Sequence, residues 1–140
     1  MAVILKPIKD FIDQKDQLER VPKEMYPLAK QPMPWTGYLA FSDEDVLVGV
    51  CAFKDVPNYR NEVEIAYYTF PEFEGRGHAT SMASLLIDLA KTDENASALV
   101  AHTLREKNAS AHICEKLGLE FKGDILDQED GLVWRWEIEV

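Results

Sequence analysis

Residues 62–90 read EVEIAYYTFPEFEGRGHATSMASLLIDLA, and no other stretch limits the fold as tightly. Its first nine residues are rich in β-branched and aromatic side chains, which predicts a strand over 62–70. Alternation puts Val63, Ile65, Tyr67 and Thr69 on one face and Glu62, Glu64, Ala66, Tyr68 and Phe70 on the other. Pro71 has no N–H to give a ladder and ends it. Two glycines follow in Glu74-Gly75-Arg76-Gly77-His78-Ala79. They permit positive φ and let a ligand approach bare backbone. From Gly77 onward, Ala79, Met82, Leu85, Leu86 and Leu89 recur at helical spacing and predict one buried stripe. A glycine loop therefore stands where a strand hands over to a helix. The first turn of a helix carries unpaired N–H groups and a partial positive charge. Such a turn binds a phosphate or pyrophosphate; the plain alternative is a tight turn with no ligand.

Two familiar phosphate loops fail on these residues. A Walker loop ends in Gly-Lys-Ser or Gly-Lys-Thr, whereas Gly77 is followed by His78 and Ala79. A dinucleotide fingerprint needs a third glycine where Thr80 stands, and flanking βαβ repeats that the upstream chain lacks.

The spacing from Glu74 to Ala79 resembles instead the acetyl-CoA loop of the GNAT N-acetyltransferase superfamily, Gln/Arg-x-x-Gly-x-Gly/Ala. Phe70-Pro71-Glu72-Phe73 looks like that family's strand exit. Downstream, Asn108-Ala109-Ser110 followed by Glu115-Lys116-Leu117-Gly118-Leu119 is similar to its Asn-x-x-Ser and Glu-Lys-x-Gly-Phe signature. The closest motifs are those of RimJ/RimL-type members, which acetylate protein N-termini. The likeness covers about residues 35–123. It implies an α/β (α+β) GNAT-like fold, with a mixed, mostly antiparallel central sheet of about six to seven strands flanked by helices. It also implies that the 62–70 and 98–101 strands splay apart to admit acyl-pantetheine. Implied cofactor contacts fall at Tyr68, Thr69, Phe70, Gly75, Arg76, Gly77, His78, Ala79, Thr80, Asn108 and Ser110, and weakly at Arg105, Lys107 and Lys116.

The implied activity moves an acetyl group from acetyl-CoA to a primary amine (small molecule, polyamine or peptide N-terminus) by direct transfer in a ternary complex. A non-catalytic acyl-CoA binding module or sensor is the alternative. Such transfer needs a base. Glu64 and Glu62 share a strand face just before the loop and are the candidates; Glu64 aligns better with the family's glutamate, and His102 is a second choice. Two carboxylates sharing one site would push one pKa up. The plain alternative is a pair of solvent-facing or ion-paired strand residues. Two positions depart from the family. Glu74 replaces Gln or Arg and is expected to turn outward. Cys114 stands where many members carry a proton-donating tyrosine, leaving that proton to water or to a hydroxyl such as Ser110.

A length of 140 residues suits a single domain, 1–140, and 46% apolar content supports an ordinary core. Fifteen basic against 25 acidic residues give a net charge of −10, which disfavours nucleic acid and favours cationic acceptors, though solubility explains the acidity equally well. Cys51 and Cys114 form no close pair, and His78, His102 and His112 have no ligand spacing, so no metal is expected. No run is long enough to cross a bilayer and no leader pattern opens the chain, so a reducing cytoplasm fits. Monomer or homodimer stays open.

The remaining chain predicts a strand over 2–5, a short helix within 8–20, and an extended surface segment over 21–34, where Pro22, Pro27, Pro32 and Pro34 forbid a long helix. Met25, Tyr26, Met33 and Trp35 line an acceptor pocket or pack the core's edge. Strands follow at 35–41, 46–53, 98–101, 119–126 and 132–140, with a helix capped by Asn108 running to Leu117.

Overall fold

The computed structural model describes residues 3–140. Among the described residues, β1 (Ile4–Pro7), β2 (Gly37–Phe41), β3 (Leu47–Phe53), β4 (Glu62–Thr69), β5 (Ala98–Thr103), β6 (Glu120–Asp127) and β7 (Gly131–Glu139) form one seven-stranded sheet. Its order is β1-β2-β3-β4-β5-β7-β6. Every neighbouring pair is antiparallel except β4 and β5. A parallel pair needs a crossover. Here it is the 14-residue helix following the glycine loop.

Three α-helices accompany the sheet: α1 (Lys15–Leu18), α2 (His78–Lys91) and α3 (Ala109–Lys116). One core lies between the sheet and α2 and α3, where Val63, Ile65, Leu99, Ala101 and Trp136 meet Met82, Leu86, Ala111 and Cys114. A second lies under the N-terminal segment, where Ile8, Leu18, Val21, Met25 and Ala29 meet Leu39, Val50, Ala52 and Phe70. Among the described residues no helix is long and apolar enough to cross a membrane.

The buried side of α2 differs from the expected stripe. Met82 and Leu86 are buried, but Ala83, Ile87 and Ala90 join them while Ala79, Leu85 and Leu89 are only partly covered. The buried face is thus rotated from the expected one and mixes the large Met82, Leu86 and Ile87 with the small Ala83 and Ala90.

The N-terminal third departs further. The strand expected at 2–5 is found at Ile4–Pro7, Ala2 lying outside the described residues. The helix expected within 8–20 is instead a 3-10 turn, Ile8–Phe11, and the single turn α1. Gln14 breaks them apart, with φ −108° and ψ 75°. Ile8 and Leu18 both reach the second core, whereas Ile12 is exposed, so the apolar residues never formed one helical face. The segment expected to be extended over 21–34 holds a 3-10 helix, Lys23–Lys30, with Pro27 inside. Proline excludes a long α-helix but not short 3-10 turns. Thr36 Oγ1 donates to the Leu28 carbonyl at 2.7 Å and ties this helix to β2.

Gly49 on β3 sits beside a register shift against β2. A Cβ there would lie 2.3 Å from the Tyr68 carbonyl oxygen and 3.2 Å from Thr69 Cα, so β3 and β4 approach more closely than any side chain permits. Gly49→Ala should therefore lower the free energy of unfolding by about 1–3 kcal/mol, the usual cost of overpacking. Urea denaturation followed by tryptophan fluorescence measures it, and an unchanged midpoint would show that the strands separate without cost.

Candidate active site

β4 and β5 pair from Glu62 with Ala98 to Ile65 with Ala101, and the pairing ends there. β4 runs on to Thr69 and β5 to Thr103. β4 stays joined to β3 along that extension, from Ala66 with Ala52 to Thr69 with Gly49. β5 stays joined to β7, where His102 faces Arg135 and Thr103 faces Trp134. Each strand follows its other neighbour, and a wedge opens between them. Backbone groups on the open side of Ala66–Thr69 are left to pair with something else. Inside the wedge is a cavity of about 180 Å³ lined by Glu64, Ala66, Tyr67, Ala101, His102 and Ser110, with Lys54 and Asp130 at its margin.

Charge gathers at its floor. Lys54 follows β3, lies across from Glu64, and donates its backbone N–H to the Glu64 carbonyl at 2.8 Å. Its Nζ is 3.3 Å from Glu64 Oε2. His102 Nδ1 is 3.3 Å from the same oxygen and 3.7 Å from Asp127 Oδ1. Both ring nitrogens of His102 are buried and lack an aligned hydrogen bond.

Asp127 is fixed from behind, since its Oδ2 accepts the N–H groups of Glu129 and Asp130 at 3.0 Å each and so shapes the β6–β7 turn. Those backbone donors, chiefly Asp130, hold its carboxyl below the usual range against the cost of burial, with His102 and Lys54 adding to them. Burial alone would raise the pKa of Glu64, but the adjacent His102 and Lys54 outweigh it and hold the carboxyl low. Lys54 responds in kind. Burial would lower its pKa, and Glu64, then Glu129 and Asp127, raise it instead.

Glu62 and Glu64 do not share a site. Glu62 Oε2 lies 3.1 Å from Arg135 Nη2, and Arg135 Nε donates to Glu137 at 2.6 Å. The two glutamates share a strand face, but each has its own cation, so the mutual repulsion that would lift one pKa is absent. Glu64, His102 and Asp127 bring ligand atoms within 4.8 Å of one another, a grouping different from any histidine set in the sequence. The ammonium of Lys54 already supplies positive charge there.

The glycine loop lies at the far end of β4. Gly75 and Gly77 have φ +77° and +83°. Gly77 is the N-cap of α2, and the first helical hydrogen bond runs from Ser81 N–H to its carbonyl. The N–H groups of His78, Ala79 and Thr80 precede that bond and have no partner within the helix. No atom lies within 4 Å of a Cβ built at either glycine, so the loop faces open space. Arg76 is exposed with its guanidinium over the Phe73 ring, and Glu74 is exposed. The His78 imidazole is turned inward and 3% exposed, and burial lowers its pKa. His78 thus offers a phosphate its backbone alone.

Phe70 is likewise buried, and its N–H is spent on the Val48 carbonyl. Tyr68 is half-exposed, and the Thr69 hydroxyl is buried without a partner. Asn108 caps α3 by accepting the Ala111 N–H at 2.9 Å. Ser110 lines the wedge, while Arg105 is engaged by Asp124 at 3.0 Å.

Tyr67 and Cys114 meet across the wedge, Oη to Sγ 3.9 Å, and Tyr67 Oη donates weakly to the Ser110 carbonyl at 3.5 Å. Burial, and then Cys114, push the phenol well above its ordinary range; burial pushes the Cys114 thiol up to about 11. Both are neutral at physiological pH.

A groove of about 510 Å³ adjoins the wedge between the 3-10 helix Lys23–Lys30 and β4, lined by apolar Met25, Leu28 and Val50 with Glu24 and Glu129 among them. Tyr26 and Met33 lie elsewhere, and Trp35 packs edge-on to Phe53 in the core. Lys54, Tyr67 and Asp127 escaped sequence reasoning. A lysine after an apolar strand carries no signal until the β3–β4 register puts it across from Glu64, and Asp127 reads as an ordinary turn residue.

The sequence matches the family profile described as an acetyltransferase (GNAT) domain over residues 9–120. No curated protein matches it significantly. Among solved structures, a chimera of the Vibrio cholerae spermidine N-acetyltransferase SpeG with hSSAT superposes with a TM-score of 0.76 at 16% identity, over 99% of this chain and 96% of that one. RimL, a ribosomal L7/L12 α-N-protein acetyltransferase in complex with coenzyme A, gives 0.65 at 18% identity over 75% of this chain. The present chain spans 62% of RimL's. The microcin C7 self-immunity acetyltransferase MccE, bound to acetyl-CoA and AMP, gives 0.65 at 15% identity, over 75% of this chain and 61% of that one. At such identities the likeness is one of fold.

The Glu64 cluster has a signature in stability. A carboxyl whose folded pKa is depressed stabilises fully above its unfolded pKa and loses that contribution as pH falls through the folded value. Glu64→Gln should be less stable than wild type at neutral pH, and the gap should close below the usual glutamate range. Urea melts of both proteins across that range check this, and a gap independent of pH would contradict the ion pairing.

Proposed function

The chain belongs to the GNAT acetyltransferase family, and from that premise we propose that it moves an acetyl group from acetyl-CoA to a primary amine by direct transfer, as one domain. The observation that carries this reading is the coincidence of three features on one strand. β4 leads through the short turn Pro71–Phe73 to the glycine loop, lines the wedge, and carries Glu64 at the wedge's floor.

Acetyl-CoA supplies an activated thioester and an anionic handle. The unpaired N–H groups at the start of α2 fit a pyrophosphate, and the open backbone of Ala66–Thr69 fits the amide-bearing pantetheine arm. Asn108 and Ser110 flank that arm from α3. An unpaired N–H on the open edge of β4 is suited to the oxyanion that develops on the carbonyl.

The acceptor arrives as an ammonium and must lose a proton. Glu64 takes it, with His102 Nδ1 3.3 Å from its carboxylate and Asp127 beside that imidazole. The carboxylate stays ionised at working pH because Lys54 and His102 favour that form. At the leaving sulfur, Tyr67 takes the part of proton donor, because its side chain lines the wedge and Cys114 on α3 does not. Its hydroxyl is protonated at neutral pH and can return a proton to the thiolate.

The groove beside the wedge supports an acceptor with an apolar body and positive charge. Met25, Leu28 and Val50 suit the body, while Glu24 and Glu129 suit the charge. The known activities of SpeG and RimL, on spermidine and on a protein α-amine, both concern primary amines.

Glu64→Gln should cut acetyl transfer to a responsive amine by about 10²–10⁴-fold, the usual share of a general base, with acetyl-CoA affinity retained. Gly77→Asp should do the reverse, losing acetyl-CoA binding in a protein that stays folded, because it sets a negative charge at the phosphate turn. Thiol-release kinetics with calorimetry of acetyl-CoA separate the two. Undiminished turnover in Glu64→Gln would remove Glu64 from the role of base.

A further inference from the structure

The groove and the wedge cavity have three lining residues in common: Lys54, Ala66 and Tyr67. Ala66 and Tyr67 are the first residues of β4 beyond its last pair with β5. Lys54 is the one amine of the three, and it stands at the junction where an acceptor amine entering from the groove would meet an acyl group held in the wedge. Its Nζ lies 3.3 Å from Glu64 Oε2, with Glu129 and Asp127 close enough to act on its charge. An ammonium on the base, at the mouth of the wedge, is the arrangement a bound acceptor must adopt. This chain supplies that arrangement from its own sequence.

We propose that Lys54 is a site of self-acetylation, its ε-amine serving as an acceptor when no other amine fills the groove. The proposal rests on the acetyl-CoA reading above. In the step, the Lys54 ammonium gives one proton to Glu64 and the freed nitrogen attacks the thioester carbonyl. A C–N bond forms and the C–S bond breaks. The nitrogen's second proton leaves through the site, the thiolate takes up one proton, and the first is released to solvent. The products are Nε-acetyl-lysine and coenzyme A. The modified side chain carries no charge, so Glu64 loses a cation that an incoming acceptor would otherwise have to displace. The reaction is expected to be slower than transfer to a free amine, because the carboxylates around Lys54 keep it protonated.

The other lysines lack this placement. Lys6 pairs with Asp45 at 3.8 Å and Lys122 with Glu120 at 3.4 Å, both on exposed surface. Ordinary chemical acetylation by a thioester would reach such lysines at least as readily as Lys54, which gives the test its contrast.

The full chain is incubated with acetyl-CoA carrying an isotopically labelled acetyl group, without added amine. Label is located by peptide mass spectrometry, and calorimetry on the same preparation measures acetyl-CoA binding. The expected result is one acetyl group per chain, on Lys54, gained at a rate independent of protein concentration and lost in both Lys54→Arg and Gly77→Asp. A protein that binds acetyl-CoA but remains unlabelled overturns self-acetylation and leaves the transferase reading standing. Label spread over surface lysines at equal rates in wild type and Lys54→Arg does the same. Absence of acetyl-CoA binding overturns the transferase reading and self-acetylation with it. Site mapping in the wild-type chain decides the matter even where a variant folds poorly.

Discussion

The geometry of this protein depends on one broken ladder. β4 and β5 are the sheet's only parallel neighbours among the described residues, and their pairing stops after Ile65 and Ala101. Had it continued, the backbone of Ala66–Thr69 would be satisfied and the wedge filled. The break persists because each strand is held by a stronger claim on its other side. The close approach of Gly49 to Tyr68 and Thr69 binds β4 to β3, and the β5–β7 ladder reaches Thr103, whose hydroxyl accepts from Trp136 Nε1 at 3.0 Å. Open backbone is costly unless something pairs with it, so a fold built this way is built to receive an extended polar chain.

The charged cluster follows from the same strand register. Antiparallel pairing sets Lys54 opposite Glu64, and the β5–β7 pairing carries His102 to the same sheet face, within reach of Asp127 on the neighbouring hairpin. None of these groups is a strong acid or base alone. Together they hold one carboxylate ionised beside an imidazole in a half-buried cavity, open to a proton although its neighbours make it a weaker base than a lone glutamate. Glu62, two residues away on the same face, shows how much depends on the neighbour. Arg135 engages it, and it takes no part in the cluster.

Much of this was legible in the residues. The strand, glycine loop and helix of 62–90 carry local signals, since alternation, a proline stop, two glycines and helical spacing each have a short-range cause. The mixed, mostly antiparallel sheet also followed. The N-terminal third was less legible, because the apolar residues of 8–30 are spaced to meet one face of the sheet, not to form one helical stripe. Ile8, Leu18, Val21, Met25 and Ala29 join one small core through three separate short turns, which no single period describes. Within the site, Glu62 and Glu64 could be named by their place before the loop, and the family likeness favoured Glu64. Lys54, Tyr67 and Asp127 belong to it through strand register and the fold of a hairpin, which are long-range facts.

On the proposed reading, the broken ladder and the glycine loop receive acetyl-CoA as one continuous surface. Amide hydrogen exchange, with and without acetyl-CoA, tests it at the backbone itself. The account predicts slowed exchange confined to the Ala66–Thr69 edge of β4 and the Gly75–Thr80 turn, with the rest of the sheet unchanged. Protection of neither segment at saturating acetyl-CoA, or protection centred elsewhere, would contradict it.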